Sequence, residues 1–132
     1  MIVMDPKWLQ AHGPSHRQLA GLMAVSGQMT THPTIRKLRG ERGSRLRPVI
    51  DEHAPLHYVA KDLPPICLIV GGRTMEIEAR VEENLLMAAT LRAPGHSRVE
   101  FYEMEGLDHD TVEKGAMFVM LGFLHRVLQP SP

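Results

Sequence analysis

The apolar run Ile66-Cys67-Leu68-Ile69-Val70, bounded by Pro64-Pro65 before it and Gly71-Gly72 after it, constrains this chain more than any other stretch. A run without polar alternation has no face to give to water, so it predicts a strand buried on both sides, at the centre of a parallel sheet. Parallel strands need long crossovers, commonly helices. The flanking sequence supplies them. From Glu76 to Arg92 the residues Ile77, Val81, Leu85, Ala88 and Leu91 recur at steps of three and four, predicting one face of a helix that Pro94-Gly95 ends. The alternation at Val99, Phe101 and Glu103 predicts a strand over Val99 to Met104. Val112, Ala116, Val119, Phe123 and Val127 then mark a last helix running out before Pro130.

Upstream, Leu19 to Val25 is a brief apolar run ended by Ser26-Gly27, short enough for a strand buried on both faces. Met1 to Ala11 reads as the last turns of a helix, with a turn and short helical segment over Asp5 to Leu9. The segment from Gln28 to Pro65 is rich in Arg, His and Pro and has no sustained periodicity. A structureless loop of that length is unusual in a compact domain, so short helical turns are expected in it, one of them around Ala54 to Val59. The order is strand, long excursion, strand, helix, strand, helix. It predicts an α/β fold with about three parallel strands and helices packed on the sheet faces. A sheet that small leaves an apolar edge bare, which a complete domain would cover or charge. The expectation is therefore one portion of a larger sheet, able to self-associate through that edge into a homo-oligomer.

Composition excludes several classes of function. The chain has 132 residues, 43% of them hydrophobic and 23% charged, which suits one ordinary globular domain. Fifteen basic residues balance fifteen acidic ones, and only Arg36 to Arg47 gathers positive charge, so nucleic acid is not expected as a partner. One cysteine, Cys67, allows neither a disulfide framework nor a thiolate zinc site. No apolar stretch approaches the roughly 18 residues of a membrane span, and Met1-Ile2-Val3-Met4-Asp5 lacks the pattern of a signal peptide. Compartment is not specified by these features.

The chemistry-bearing candidate is His109, in Gly106-Leu107-Asp108-His109 at the C-terminal end of the Val99 strand. Ligands and catalytic groups of open α/β sheets gather at that end, and imidazole can take and return a proton near neutral pH. The other histidines carry less. His12 and His16 are four apart, as are His53 and His57, but Pro14 and Pro55 interrupt the pairs and no third ligand is placed, so no metal is expected. His32 and His53 read as packing within the long loop. Glu78 reads as pointing away, Glu82-Glu83 as a solvated helix face, and the nine methionines as adaptable core filling. Gly71-Gly72, with no lysine, reads as a tight passage of backbone rather than a phosphate cradle.

Several further segments, in order, carry a family resemblance. They are Asp5-Pro6-Lys7-Trp8-Leu9, Gly21 to Gly27 with Thr31-His32-Pro33-Thr34-Ile35-Arg36, Asp51-Glu52-His53-Ala54-Pro55-Leu56, Lys61-Asp62-Leu63-Pro64-Pro65, Arg80-Val81-Glu82-Glu83-Asn84 and Gly106-Leu107-Asp108-His109. Over nearly its whole length the chain resembles the C-terminal half of an α/β-hydrolase-fold esterase or lipase. The resemblance implies a serine hydrolase with its nucleophile on a GxSxG elbow, followed in the chain by an acid and then a histidine. His109 would be the base, the substrate a small-molecule ester, and no metal or organic cofactor would be needed.

Two departures shape the expectation. No GxSxG surrounds Ser15, Ser26, Ser44, Ser97 or Ser131. Ser26 comes nearest, but Ala24 precedes Val25 and no helix start follows directly, so the nucleophile and oxyanion loop are expected upstream of Met1. The acid position falls on Thr74. Glu76, two residues on, is the nearest carboxylate. It would either orient His109 through Nδ1 or favour the first turn of the following helix. Residues 1–132 are thus expected to be the C-terminal portion of a single hydrolase domain, catalytically silent by itself. The alternative is a degenerate, non-catalytic remnant that binds or self-associates, and the same fold also hosts amide and peptide hydrolysis.

Overall fold

In a computed structural model, which describes residues 1–129, three strands lie side by side and parallel: Leu22–Val25 (β1), Ile66–Gly71 (β2) and Val99–Met104 (β3), in that spatial order. Ile66 is in register with Leu22 on one side and Val99 on the other. Every residue of β2 is buried, as its unbroken apolar run requires. Its side chains alternate between two cores. Ile66 and Leu68 enter one with Met87, Ala88 and Leu91, while Cys67 and Ile69 enter the other with Val112, Ala116 and Phe123. Those partners lie on Arg80–Arg92 and Val112–Leu128, so one long helix covers each face of the sheet.

The remaining elements are short. Lys7–Gln10 (α1) and Pro33–Leu38 (α2) precede the long helices, which are α3 and α4 in chain order, and single 3-10 turns occupy His16–Gln18 and Pro55–Tyr58. The last of these is the turn expected around Ala54 to Val59. At the N-terminus the helical part is confined to the four residues of α1. Pro130, at which the sequence ends the last helix, and Ser131 lie outside the described residues. No helix among the described residues is long and apolar enough to cross a membrane.

Two expectations are corrected. β1 is half-buried along its length rather than buried on both faces, because it pairs only with β2 and forms an edge of the sheet. The helix expected from Glu76 starts at Arg80, after turns over 72–79 that end with Ala79 in the left-handed region at φ 65°. Its buried face is Arg80, Val81, Asn84, Met87, Ala88 and Leu91, and Leu85 is exposed. Asn84 takes the inward place because the end of β1 presents a carbonyl there: Asn84 Nδ2 donates to Gly27 O at 2.8 Å. Apolar Leu85 in that position would leave the part-buried carbonyl without this donor.

Candidate functional site

Parallel strands deliver their C-terminal ends to one edge of the sheet, so residues far apart in sequence become neighbours there. Ser26 follows β1, Gly71 and Glu76 follow β2, and His109 follows β3. Ser26 Oγ donates to Glu76 Oε2 at 2.8 Å and lies 2.7 Å from His109 Nδ1, and His109 Nδ1 lies 3.1 Å from Glu76 Oε1. Sequence separations of 50 and 83 residues are closed in these contacts.

Glu76 is the buried member, its side chain 0% exposed. Two backbone groups seat the carboxylate, Gly71 N donating to Oε2 at 3.0 Å and Ile77 N to Oε1 at 2.8 Å. Burial is the strongest influence and opposes the charge. The Ile77 and Gly71 amides, the Ser26 hydroxyl and the neighbouring His109 together outweigh it, and hold the carboxyl below its ordinary range. A glycine at 71 is what lets this happen. A Cβ there would stand 2.6 Å from Leu107 O and 3.0 Å from Glu76 Oε2. Gly72 N donates to Leu107 O at 2.8 Å, joining the loops after β2 and β3. Glu76 therefore does not serve the first turn of α3, which begins four residues later and has Glu82 and Glu83 as its acids.

Ser26 adopts φ 45°, uncommon for a residue with a side chain and costing on the order of 1–2 kcal/mol. The surroundings hold it there. Its N–H donates to Ile69 O at 2.7 Å, Arg80 Nη1 donates to its carbonyl at 3.0 Å, and Asn84 fixes the carbonyl of Gly27. Glu83 secures the chain that follows. Its two oxygens accept from Gln28 Nε2, from the Met29 and Thr30 amides and from the Thr30 hydroxyl, at 2.8–3.3 Å. That corrects the reading of Glu83 as solvated. Glu78 and Glu82 are exposed, and Thr74 lies exposed in the turn after β2.

One proton arrangement satisfies the three contacts. A carboxylate only accepts, and the Ser26 hydrogen is donated to Glu76, so the His109 Nδ1 proton is shared between Ser26 Oγ and Glu76 Oε1. Nε2 has no protein partner among the described residues, on a side chain 45% exposed. The arrangement is an imidazole held at Nδ1 by a carboxylate and a hydroxyl, with Nε2 open.

The other histidines do not join it. His32 and His53 are exposed rather than packed in the long loop. The Nδ1 of His32 accepts from Thr34 N and caps α2, while that of His53 meets Arg39 Nη2 at 2.7 Å. Asp51, Glu52 and His53 have the donor types for a cation, within 4.8 Å of one another. The Arg39 guanidinium already contacts all three, at 2.7, 3.3 and 2.7 Å. The side chain of His16, paired by spacing with His12, lies outside what is described.

From sequence Ser26 is weighed only as a nucleophile and set aside, and Arg80 and Asn84 are not candidates for the site. Ser26 had a usable signal, since Ser26-Gly27 ends a strand parallel to the one that carries His109. Arg80 and Asn84 had none, because their placement depends on where α3 starts.

No family model matches the chain, and no curated protein matches it. Among solved structures, a thermophilic esterase from the planctomycete Thermogutta terrifontis, with propionate bound, is similar over 92% of this chain and 48% of its own, at 21% identity and a TM-score of 0.50. The chain thus spans about half the length of that protein. At this identity the likeness is one of fold, a parallel α/β sheet with helices on its faces.

Proposed function

We propose that residues 1–132 supply the acid–base part of an esterase-like serine hydrolase, with His109 as base and Glu76 as the acid that orients it. The observation that carries the reading is the 3.1 Å contact between His109 Nδ1 and a fully buried carboxylate, with Nε2 left open at the C-terminal edge of a parallel sheet. Nε2 would take the proton of an attacking serine hydroxyl as it adds to the ester carbonyl, and return it to the departing alcohol. Water would then release the acyl group by the same exchange.

Ser26 is the positioning hydroxyl in this scheme. It is 6% exposed, its proton is committed to Glu76, and it sits on Nδ1, the wrong nitrogen for an attacking group if Glu76 is to orient the ring. The nucleophile and its GxSxG elbow would come from outside this chain, on a strand added to the free edge of β1. Small-molecule esters are the proposed substrates, by analogy with the esterase of similar fold. Self-association through the same edge is the competing use of β1, and belongs to the reading of the chain as a non-catalytic module.

The test is an assay on a short-chain aryl ester. Residues 1–132 alone are expected to give no turnover. A longer polypeptide carrying a GxSxG elbow ahead of them is expected to be active and to lose about 10³-fold or more on His109→Ala. Turnover by residues 1–132 that disappears in both His109→Ala and Ser26→Ala would instead make Ser26 the nucleophile.

A further inference from the structure

We propose that a second copy of this chain docks on the outer face of α4, the two helices lying antiparallel about a two-fold axis. α4 buries Val112, Ala116 and Phe123 against the sheet. Its opposite side carries Met117, Leu121, Leu124 and Leu128, at steps of four, three and four, with Phe118 beside them. These five residues are between 39% and 80% exposed. A helix that packs by one face ordinarily gives its other face polar residues. Here Lys114 and His125 supply some, but they leave the apolar row unbroken.

The spacing names the occupant. Alternating steps of four and three are the seam of a coiled coil, in which each residue of the row enters a gap between residues of a like helix. The row is also its own complement when reversed. Turned antiparallel, Met117 faces Leu128 of the partner subunit and Leu121 faces the partner subunit's Leu124, so the two-fold axis generates four apolar layers with every position filled. Lys114 is the next position of the seam toward the N-terminus, and in this register it falls beyond Leu128 of the partner subunit. A parallel pair would set Lys114 against its own copy, two like charges in one layer.

The area suffices for a dimer. At roughly 200 Å² for the full surface of a large apolar residue, the exposed fractions leave about 600 Å² on each copy, so a pair removes up to about 1,200 Å² from water. That is the lower end of specific interfaces, and a dissociation constant in the micromolar range follows. Strands joining the free edge of β1 would extend the sheet in its own plane, whereas this row faces away from it. The pairing is thus independent of the hydrolase reading.

Sedimentation equilibrium of the 132-residue protein, up to about 100 µM, is expected to show reversible exchange between monomer and dimer. Leu121→Glu sets two carboxylates near the centre of the pair and is expected to raise the dissociation constant about a hundredfold or more, while Leu38→Glu on α2 leaves it unchanged. Both positions are exposed, so neither variant touches the core. Nitroxide labels read the direction, since the native Cys67 is buried. The antiparallel register sets labels on His125→Cys about 8 Å apart along the axis and labels on Glu113→Cys about 28 Å apart, so only the first pair should broaden each other's spectra. A monomer throughout the concentration range, or equal broadening at the two positions, overturns the proposal. So does association that survives Leu121→Glu, which would assign it to the edge of β1, and so does a monomer that binds phosphatidylcholine vesicles through Leu121, which would assign the face to a membrane. None of these readings involves turnover, so an inactive hydrolase and a monomeric chain remain separate results.

Discussion

The two connections between strands of this sheet are held in opposite ways. The β2-to-β3 connection is a helix whose inner face buries Val81, Met87, Ala88 and Leu91 at closely spaced positions. The β1-to-β2 excursion has one short α-helix, α2, and its buried apolar residues, Met29, Ala54, Leu56 and Leu63, follow no helical repeat. Polar groups hold it instead. Glu83 clamps Gln28 to Thr30, Arg36 donates to Arg47 O at 2.9 Å and pairs with Glu41 at 3.2 Å, and Asp51 joins Thr31 to Arg39. Apolar burial tolerates changes in pH, whereas carboxylate-centred fastenings do not. The difference matters because Ser26 stands where the excursion begins and Glu76 where the other connection begins.

The sharpest way to break this contrast is in the apolar connection. Leu91 is fully buried, and Leu91→Ala is expected to cost about 2–5 kcal/mol in chemical denaturation, with the whole domain losing stability together. A cost below about 1 kcal/mol would mean that α3 is not the main apolar support of its face. Next comes the polar clamp. Glu83→Ala is expected to cost about 1–3 kcal/mol by leaving the Met29 and Thr30 amides without their acceptor. Hydrogen exchange should quicken at those amides while α3 stays protected, and uniform quickening would erase the distinction between the two connections.

The smallest effect is on the acid side of the stability profile. Asp51 is lowered to about 2 from 3.8, first by the Thr31 hydroxyl, against the opposing effect of burial, and then by the His53 amide and Arg39. A carboxyl depressed in the folded state binds its proton first in the unfolded chain, so its stabilisation is complete above 3.8 and is lost as pH falls toward about 2. Glu76 acts with the same sign below 4.5. Asp51→Asn is therefore expected to lower the urea midpoint at pH 6 and to flatten its decline between pH 3.8 and 2. An unchanged slope would show that Asp51 does not fasten the excursion.

What the amino-acid sequence disclosed follows the same division. Apolar periodicity located β2, β3, α4 and most of α3, because burying a face demands a repeat that can be read directly. It placed Leu85 inside wrongly, since the inward position belongs to Asn84, whose duty is to a carbonyl contributed by a distant strand. His109 and Glu76 were reachable from their strand ends. Their contact with Ser26 was not, for it depends on a backbone at φ 45° that Arg80 and Asn84 maintain from another element. Polar fastenings have no period, so Glu83 looked like an ordinary surface acid.

The seat of Glu76 is nearly all local. Its bonds to the Gly71 and Ile77 amides span five residues and one residue, whereas the contact between Ser26 and His109 spans 83. The entropy lost in closing a loop rises with its length, so the anionic nest after β2 is much the easier part of the crest to assemble. His109 meets there a carboxylate whose backbone partners lie within five residues of it along the chain.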